Sequence, residues 1–247
     1  MLKVEAPGGA KEILLHACCA PCSGAVLECL RDSGIRPVVF FSNSNIFPRA
    51  EYELRLSELR RYAGLMGVEL VEDAYDHAAW LEAVRGLEGE PERGRRCEAC
   101  FRFRLGRSAQ YAASRGLPVL ATTLASSRWK DLDQVNAAGE SVCRGSGELP
   151  SETSGVAAGQ VERSEVRISG PAGPGTFEQQ KSERALRPQG VAGGGAPCIG
   201  SSVAFWPQNW RKGGLQERRN EVVREQCFYN QTWCGCEFSR NQNPLIQ

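Results

Sequence analysis

The chain has 247 residues, 41% of them hydrophobic and 24% charged, which is enough for one sizeable core with or without an insertion. Its formal net charge of +1 excludes a globally basic nucleic-acid binder, so any contact with nucleic acid must rest on a local cluster of positive charge. No apolar run is long enough to span a membrane, and Met1 to Gly9 carries no secretory apolar core, so a cytoplasmic setting without a membrane partner is expected.

In chain order, residues 12–17 read as a buried strand, and Ser23 to about Asp32 as a helix with Ala25, Val26, Cys29 and Leu30 on one side. Gly34 and Pro37 close that helix, and Val38–Phe41 form a second strand, apolar throughout as in a parallel sheet covered on both faces. A polar loop, 42–48, leads to a charged helix over about 49–66. The alternation continues with a strand at 68–71, a short helix at 78–86 and an arginine-rich helix at 98–115. A strand at 118–124 and a helix at about 131–138 follow. Strands alternating with helices predict an α/β fold, an open and mostly parallel sheet with helices on both faces.

The composition then breaks. Residues 141–200 hold 12 Gly and 5 Pro, a share typical of low-complexity chain, and Phe177 is their only aromatic residue. Residues 141–203 are therefore expected to be a disordered insertion between a 1–140 core and a 204–247 segment that completes it. That last segment begins with aromatic residues, continues as a charged helix over about 215–226 and ends in a cysteine-rich stretch.

Eleven cysteines need a reason in a reducing compartment, where clumped thiols bind metal or do redox chemistry. Cys18, Cys19 and Cys22 follow the first strand, where ligands of an open parallel sheet bind and a helix N-terminus favours thiolates. Cys97 and Cys100 open another helix at a spacing that lets both sulfurs reach one metal. Cys234-Gly235-Cys236 adds a third group. An iron–sulfur cluster needs about four thiolates, so seven cysteines leave a surplus, either for a second metal or for a redox-active, disulfide-forming pair. Structural zinc with four cysteine ligands is the bland alternative at this stage. Cys29 reads as a core thiol, Cys227 as locally packed, and Cys143 and Cys198 have no assigned role.

Several segments together resemble the epoxyqueuosine reductases of the QueH type: Leu14-Leu15-His16-Ala17-Cys18-Cys19-Ala20-Pro21-Cys22; Asn45-Ile46-Phe47-Pro48 with Glu51, Tyr52 and Arg55; Arg96-Cys97 through Cys100-Phe101 with Arg104-Leu105; Thr122-Thr123-Leu124 with Ser127 and Lys130; and Arg224-Glu225-Gln226 through Trp233-Cys234-Gly235-Cys236-Glu237-Phe238-Ser239. The resemblance spans about 12–140 and 205–239. It implies two-electron removal of oxygen from epoxyqueuosine at the wobble position of tRNA, without cobalamin. It also implies a Rossmann-like, HUP-type sheet, a [4Fe-4S] cluster and a second iron close to it. The 141–203 segment departs from the family pattern, and Trp233 stands where a tyrosine is more usual.

On this reading Cys18, Cys19, Cys97 and Cys100 are the expected cluster ligands, with Cys22, Cys234 and Cys236 near the metal. Cys234, Cys236, Lys130 and Glu51 are the candidate catalytic residues, since opening an epoxide leaves an alkoxide that an acid or metal must stabilise. Asn45, Tyr52, Arg55, Arg104 and Arg211 are the candidate substrate contacts. His16 is open to two readings, an acid near the site or a hydrogen-bonded structural histidine. The expected partners are tRNA and an electron donor that the motifs leave unspecified. Arginines crowd the Cys97–Cys100 pair (Arg93, Arg95, Arg96, Arg102, Arg104, Arg107), and a second basic stretch runs from Arg211 to Arg224. Phe101, Trp210, Tyr229 and Trp233 are candidates for stacking on bases. An ATP-pyrophosphatase-like enzyme is disfavoured, because Cys-Cys-Ala-Pro-Cys stands where a phosphate-cradling Ser-Gly-Gly loop would be.

Overall fold

The structure is a computed structural model that describes residues 2–144 and 203–240. Strand β1 (Glu12–His16) pairs in parallel with β2 (Arg36–Phe41) on one side and β4 (Val119–Thr122) on the other. Strand β3 (Leu70–Glu72) extends the sheet beyond β2 and β5 (Ala204–Phe205) extends it beyond β4, giving the all-parallel order β3-β2-β1-β4-β5. The expected α/β architecture is therefore present.

Period-two alternation explains why the central strands read as unbroken apolar runs. Ile13, Leu15, Val39, Phe41, Val119 and Ala121 point to one core, and Leu14, Val38, Phe40 and Leu120 to the other. Helices α1 (Ala20–Asp32), α2 (Arg49–Met66) and α6 (Leu215–Glu225) contribute Val26, Leu59 and Val222 to the first core. Helices α4 (Arg95–Ser114) and α5 (Leu132–Arg144) contribute Ala109 and Cys143 to the second. The shorter helices are α3 (His77–Ala83) and α7 (Glu237–Arg240). Cys29 is a fully buried core thiol, as expected, whereas Cys227 is exposed rather than packed.

Several boundaries differ from expectation: α1 begins at Ala20 rather than Ser23, β3 spans Leu70–Glu72 rather than 68–71, α3 ends at Ala83 rather than 86, and three more have a visible cause. The strand expected over 118–124 ends at Thr122, whose side chain accepts the Leu124 N–H and starts a 3-10 turn, Thr123–Ser126. Helix α4 begins at Arg95, before the expected residue 98, because Gly94 caps it without any side-chain signal. Helix α5 continues through Arg144, past the expected end at 138, because Val135, Ala138, Gly139 and Cys143 keep one buried face. The insertion expected over 141–203 thus begins no earlier than residue 145, and Val203 is already buried core. Residues 145–202, including Cys198, lie outside the described residues. Close packing at Gly139 holds β5 to α5, since a Cβ there would sit 2.2 Å from the Phe205 ring.

The sheet order reverses between β1 and β4. Open parallel sheets bind ligands in that crevice, beyond the carboxyl ends of the two strands.

Candidate metal centre

Cys18 lies two residues beyond β1, at this crevice. Cys19 caps α1 in an extended conformation (φ −175°), and Pro21 and Cys22 lie in the first helical turn. The strand-to-helix turn brings the three sulfurs together: they lie within 4.8 Å of one another and all three residues are buried. Cys18 Sγ and Cys19 Sγ are 3.8 Å apart. Beyond β4, Thr123 Oγ1 accepts the Cys18 N–H (3.1 Å) and donates to Cys18 Sγ (3.5 Å), while Ser126 Oγ donates to the Cys22 carbonyl (3.0 Å). Both strands of the crevice therefore fix the sulfur group.

The charge distribution suits a metal. Hydrogen bonds from Cys19 and Cys22 pull the Cys18 thiol well below the ordinary thiol range, and the same contact pushes Cys19 up. This coupling favours negative charge shared across the sulfur group, and a bound cation would displace the remaining protons. Lys130, partly buried, faces this group. Burial opposes its charge, but Cys18, Cys22 and Cys234 outweigh burial and raise its pKa.

Cys97 and Cys100 occupy the first turns of α4 and face different neighbours. Cys97 packs against the apolar cluster that includes Cys18, Cys19 and Cys22; burial and then the charge on Cys234 push its thiol up to about 11. Cys100 packs with Cys236 and Trp80. The tightest sulfur group holds Cys18, Cys19 and Cys22, and neither Cys97 nor Cys100 belongs to it. The Trp80 indole N–H is buried without a hydrogen-bond acceptor of ordinary geometry, and it lies near enough to the Cys100 thiol to lower its pKa. Burial raises the Cys100 pKa, with Arg104 and Trp80 acting against that rise. A donor pointed at sulfur with no oxygen to satisfy it suits a thiolate ligand.

The Cys234–Cys236 segment is clasped onto the body of the protein. Arg55, only 3% exposed, donates to the carbonyls of Cys234 (3.1 Å) and Trp233 (3.3 Å), and its Nε donates to Glu51 (2.7 Å). The Phe47 N–H donates to the Gly235 carbonyl (2.9 Å), and His77 Nε2 bonds Glu237 (2.9 Å). Gly235 has φ 100°, and a Cβ there would lie 2.8 Å from Ile46 Cγ1, so only glycine suits the turn. Cys236 lowers the Cys234 pKa through a hydrogen bond and is itself raised by it. Both are thiols in this structure.

The expected substrate contacts fall into two sets. Asn45, Tyr52, Arg55 and Arg104 are buried, and the Arg104 guanidinium donates to the Ser42 carbonyl and Asn43 Oδ1. Arg211 is partly buried and bonds the Lys130 carbonyl (2.9 Å). Phe101 and Trp210 are buried in the core, which corrects their expected role in stacking on bases. The arginine crowd around the CxxC pair also shrinks. Arg95, Arg102 and Arg107 are paired with Glu90, Glu98 and Asp73, and Arg96 is buried. Arg218 is likewise held by Glu28, Glu221 and Glu225. An open depression of about 380 Å³, lined by residues including Phe40, Asp73, Arg107 and Tyr111, contains none of the cysteines.

His16 takes its structural reading. It is fully buried, with Nε2 donating to the Ser42 carbonyl (3.1 Å) and Nδ1 within 2.8 Å of Thr122 Oγ1. Burial, helped by Arg104, lowers its pKa to about 3. The unfolded chain therefore takes up a proton near pH 6.5 that the folded chain refuses until about pH 3. This contribution to stability is present above pH 6.5 and is lost progressively below it. For metal-free protein the loss from His16 alone is about 2 kcal/mol at pH 5. Urea midpoints of wild type and His16→Gln at pH 7 and pH 5 check this: the variant should lose less on acidification, and equal losses would refute the assignment.

Comparison with known proteins agrees with this geometry. The family model described as epoxyqueuosine reductase QueH matches residues 13–165 and 192–242. The chain is 34% identical over 237 residues to the epoxyqueuosine reductase QueH of Histophilus somni, covering 96% of this chain and 75% of that protein. The proteins of the same name from Haemophilus influenzae and Acinetobacter baylyi are 33% and 32% identical, covering 96% of this chain and 75% and 84% of their own lengths. The unmatched stretch, 166–191, falls inside the span expected as an insertion. With an open parallel sheet, a buried sulfur group at its switch point and relatives over nearly its whole length, the chain belongs to the epoxyqueuosine reductase QueH family.

Proposed function

We propose that this chain is the cytoplasmic reductase that converts epoxyqueuosine to queuosine in tRNA, using an iron–sulfur centre on its clustered thiols. The observation that carries the proposal is the buried group of Cys18, Cys19 and Cys22 at the β1–β4 crevice. Soft thiolates in such a group suit iron–sulfur or zinc chemistry, and the uncancelled N–H of Trp80 beside Cys100 adds a donor to sulfur. The donor set therefore fits the implied [4Fe-4S] cluster. Cys18, Cys19, Cys22 and Cys97 would hold it, leaving Cys100, Cys234 and Cys236 for a second iron or a redox-active pair. When bound, these metals would relay electrons one at a time from a donor and supply a Lewis acid.

The overall change is balanced by two electrons and two protons. Both C–O bonds of the epoxide break, a C=C bond forms in the five-membered ring, and the oxygen leaves as water. The chain's own residues serve this in distinct ways. Lys130 keeps an ammonium at the sulfur site, where it can give a proton to an oxygen gaining negative charge. Glu51 is tied to Arg55, so its part is to hold the Cys234–Cys236 clasp in place. Burial of the thiols keeps bulk water from them. Two electrons must come from an external donor.

Anaerobically purified protein should contain iron and acid-labile sulfide with a broad visible absorption, and substoichiometric zinc. Zinc alone at one equivalent, with no reductase activity after iron reconstitution, would favour a zinc-stabilised RNA-binding module instead. Lys130→Met should retain wild-type iron and lose roughly 100-fold or more in turnover, the range of general acid catalysis. Turnover within a few-fold of wild type would remove Lys130 from the chemistry.

A further inference from the structure

The loop that joins the 3-10 turn to α5 carries groups that the redox chemistry does not use. Trp129 is 57% exposed, and the Arg128 guanidinium lies 4.9 Å from the centroid of its ring. The loop is held from two sides. Arg93 donates to the carbonyls of Trp129 (3.0 Å) and Arg128 (3.2 Å), and Arg211 donates to the carbonyl of Lys130 (2.9 Å). Arg93 itself has φ 66°, and Gln134 Nε2 fixes its carbonyl (3.1 Å). The indole is thus presented on a fixed platform.

The charges here are also unusual for this protein. Arg93 and Arg211 bond neutral carbonyls, which do not cancel their charge. Among the described residues no carboxylate forms an ion pair with Arg93, Arg128 or Arg211, in contrast to Arg95, Arg102, Arg107 and Arg218. The Arg211 Nε–H is buried without an acceptor among the described residues. Burial and the nearby Arg93 both lower the Arg211 pKa, against the opposing charge of Asp131. Like charges gathered without an ion-paired carboxylate favour the arrival of an anion.

Resting on the reductase reading, we propose that Trp129 stacks on a base of the tRNA substrate beside the modified nucleoside, with Arg93, Arg128 and Arg211 holding the flanking phosphates. Single-stranded loop bases are recognised by aromatic stacking, and arginine pairs with phosphate through a planar fork. Position supports the assignment. Lys130, the next residue, faces Cys18, Cys22 and Cys234, so a base on Trp129 would lie at the mouth of the sulfur site. An acidic electron-donor protein would satisfy the cations but would give the exposed indole no π-face to stack on.

The test uses iron-loaded full-length protein and a labelled anticodon stem–loop, with binding read by fluorescence anisotropy. Trp129→Ala and Trp129→Leu should each raise Kd about 5- to 100-fold, and Trp129→Phe should stay within about threefold of wild type. Arg128→Gln should lower the magnitude of the log Kd against log salt slope by about 0.7. Each variant is required to hold wild-type iron, which separates contact from folding. If Trp129→Leu binds as wild type does, the stacking role is overturned while the reductase reading stands. Slower reduction by a protein donor with unchanged RNA affinity would give this rim to the donor and likewise overturn the proposal. Wild-type protein that fails to bind the stem–loop would overturn both.

Discussion

Replacing Cys18 and Cys22 together by serine is expected to abolish iron retention and bleach the visible absorption. Activity should fall by more than the roughly 100-fold that loss of an outer-shell partner reaches. The reason is geometric. These two sulfurs and Cys19 lie within 4.8 Å of one another, so the double change leaves one thiol of the group. Serine keeps the volume and a hydrogen-bonding group but supplies no soft thiolate at neutral pH. Cys97→Ser with Cys100→Ser should act differently. Those thiols face different neighbours, and the pair should lower iron content while leaving part of it bound. Iron and sulfide analysis of both double variants checks the order of effects. Full iron loading in the Cys18/Cys22 variant would refute the placement of the centre.

Arg55→Ala is expected to have the second-largest effect, about 3 kcal/mol or more of lost stability together with release of the cysteine clasp. The guanidinium is nearly buried, it is ion-paired to a Glu51 side chain only 12% exposed, and it caps two backbone carbonyls. Removing it strips the ion pair from a mostly buried carboxylate, which keeps only the Tyr229 hydroxyl (3.4 Å), and takes a donor from each of two carbonyls. Lysine should not rescue, because a point charge cannot serve Glu51 and both carbonyls as the planar fork does. Chemical denaturation of metal-free protein measures the stability change, and the rate of Cys234 alkylation followed by mass spectrometry measures release of the clasp. A variant with the wild-type midpoint and a slow-reacting Cys234 would show that the clasp does not depend on Arg55.

The pattern of legibility in the sequence follows from which properties are local. Strands β1, β2 and β4 are readable because strands covered on both faces must be apolar at nearly every position. Strand β5 is two residues long with Ala204 exposed, and its pairing is a consequence of tertiary packing against Gly139 and β4. The end of α5 was hidden by Gly139, which reads as a helix stop but is a contact point for the Phe205 ring. The cysteine groups are readable from spacing alone. Which sulfurs meet depends on how α1, α4 and the C-terminal turn converge, which no spacing records.

Charge is the least legible property. The arginines around the CxxC pair read as one local basic cluster, but Arg96 and Arg104 are buried and Arg102 and Arg107 are ion-paired. Of the four aromatic residues read as stacking candidates, Phe101 and Trp210 belong to the core, Tyr229 is exposed and Trp233 is partly buried; the exposed Trp129 is not among them. The run Arg128-Trp129-Lys130 was the available signal, an aromatic residue set between two cations next to the β4 crevice.

The central claim is the reaction, and conversion of substrate tests it most directly. Reduced, iron-loaded protein is incubated anaerobically with tRNA carrying epoxyqueuosine and no cobalamin, and the tRNA is then digested and its nucleosides weighed by mass spectrometry. Epoxyqueuosine should disappear and queuosine, lighter by one oxygen atom, should take its place, whereas the Cys18→Ser, Cys22→Ser variant should leave the epoxide intact. Unchanged epoxyqueuosine after incubation with a fully loaded, reduced enzyme would contradict it.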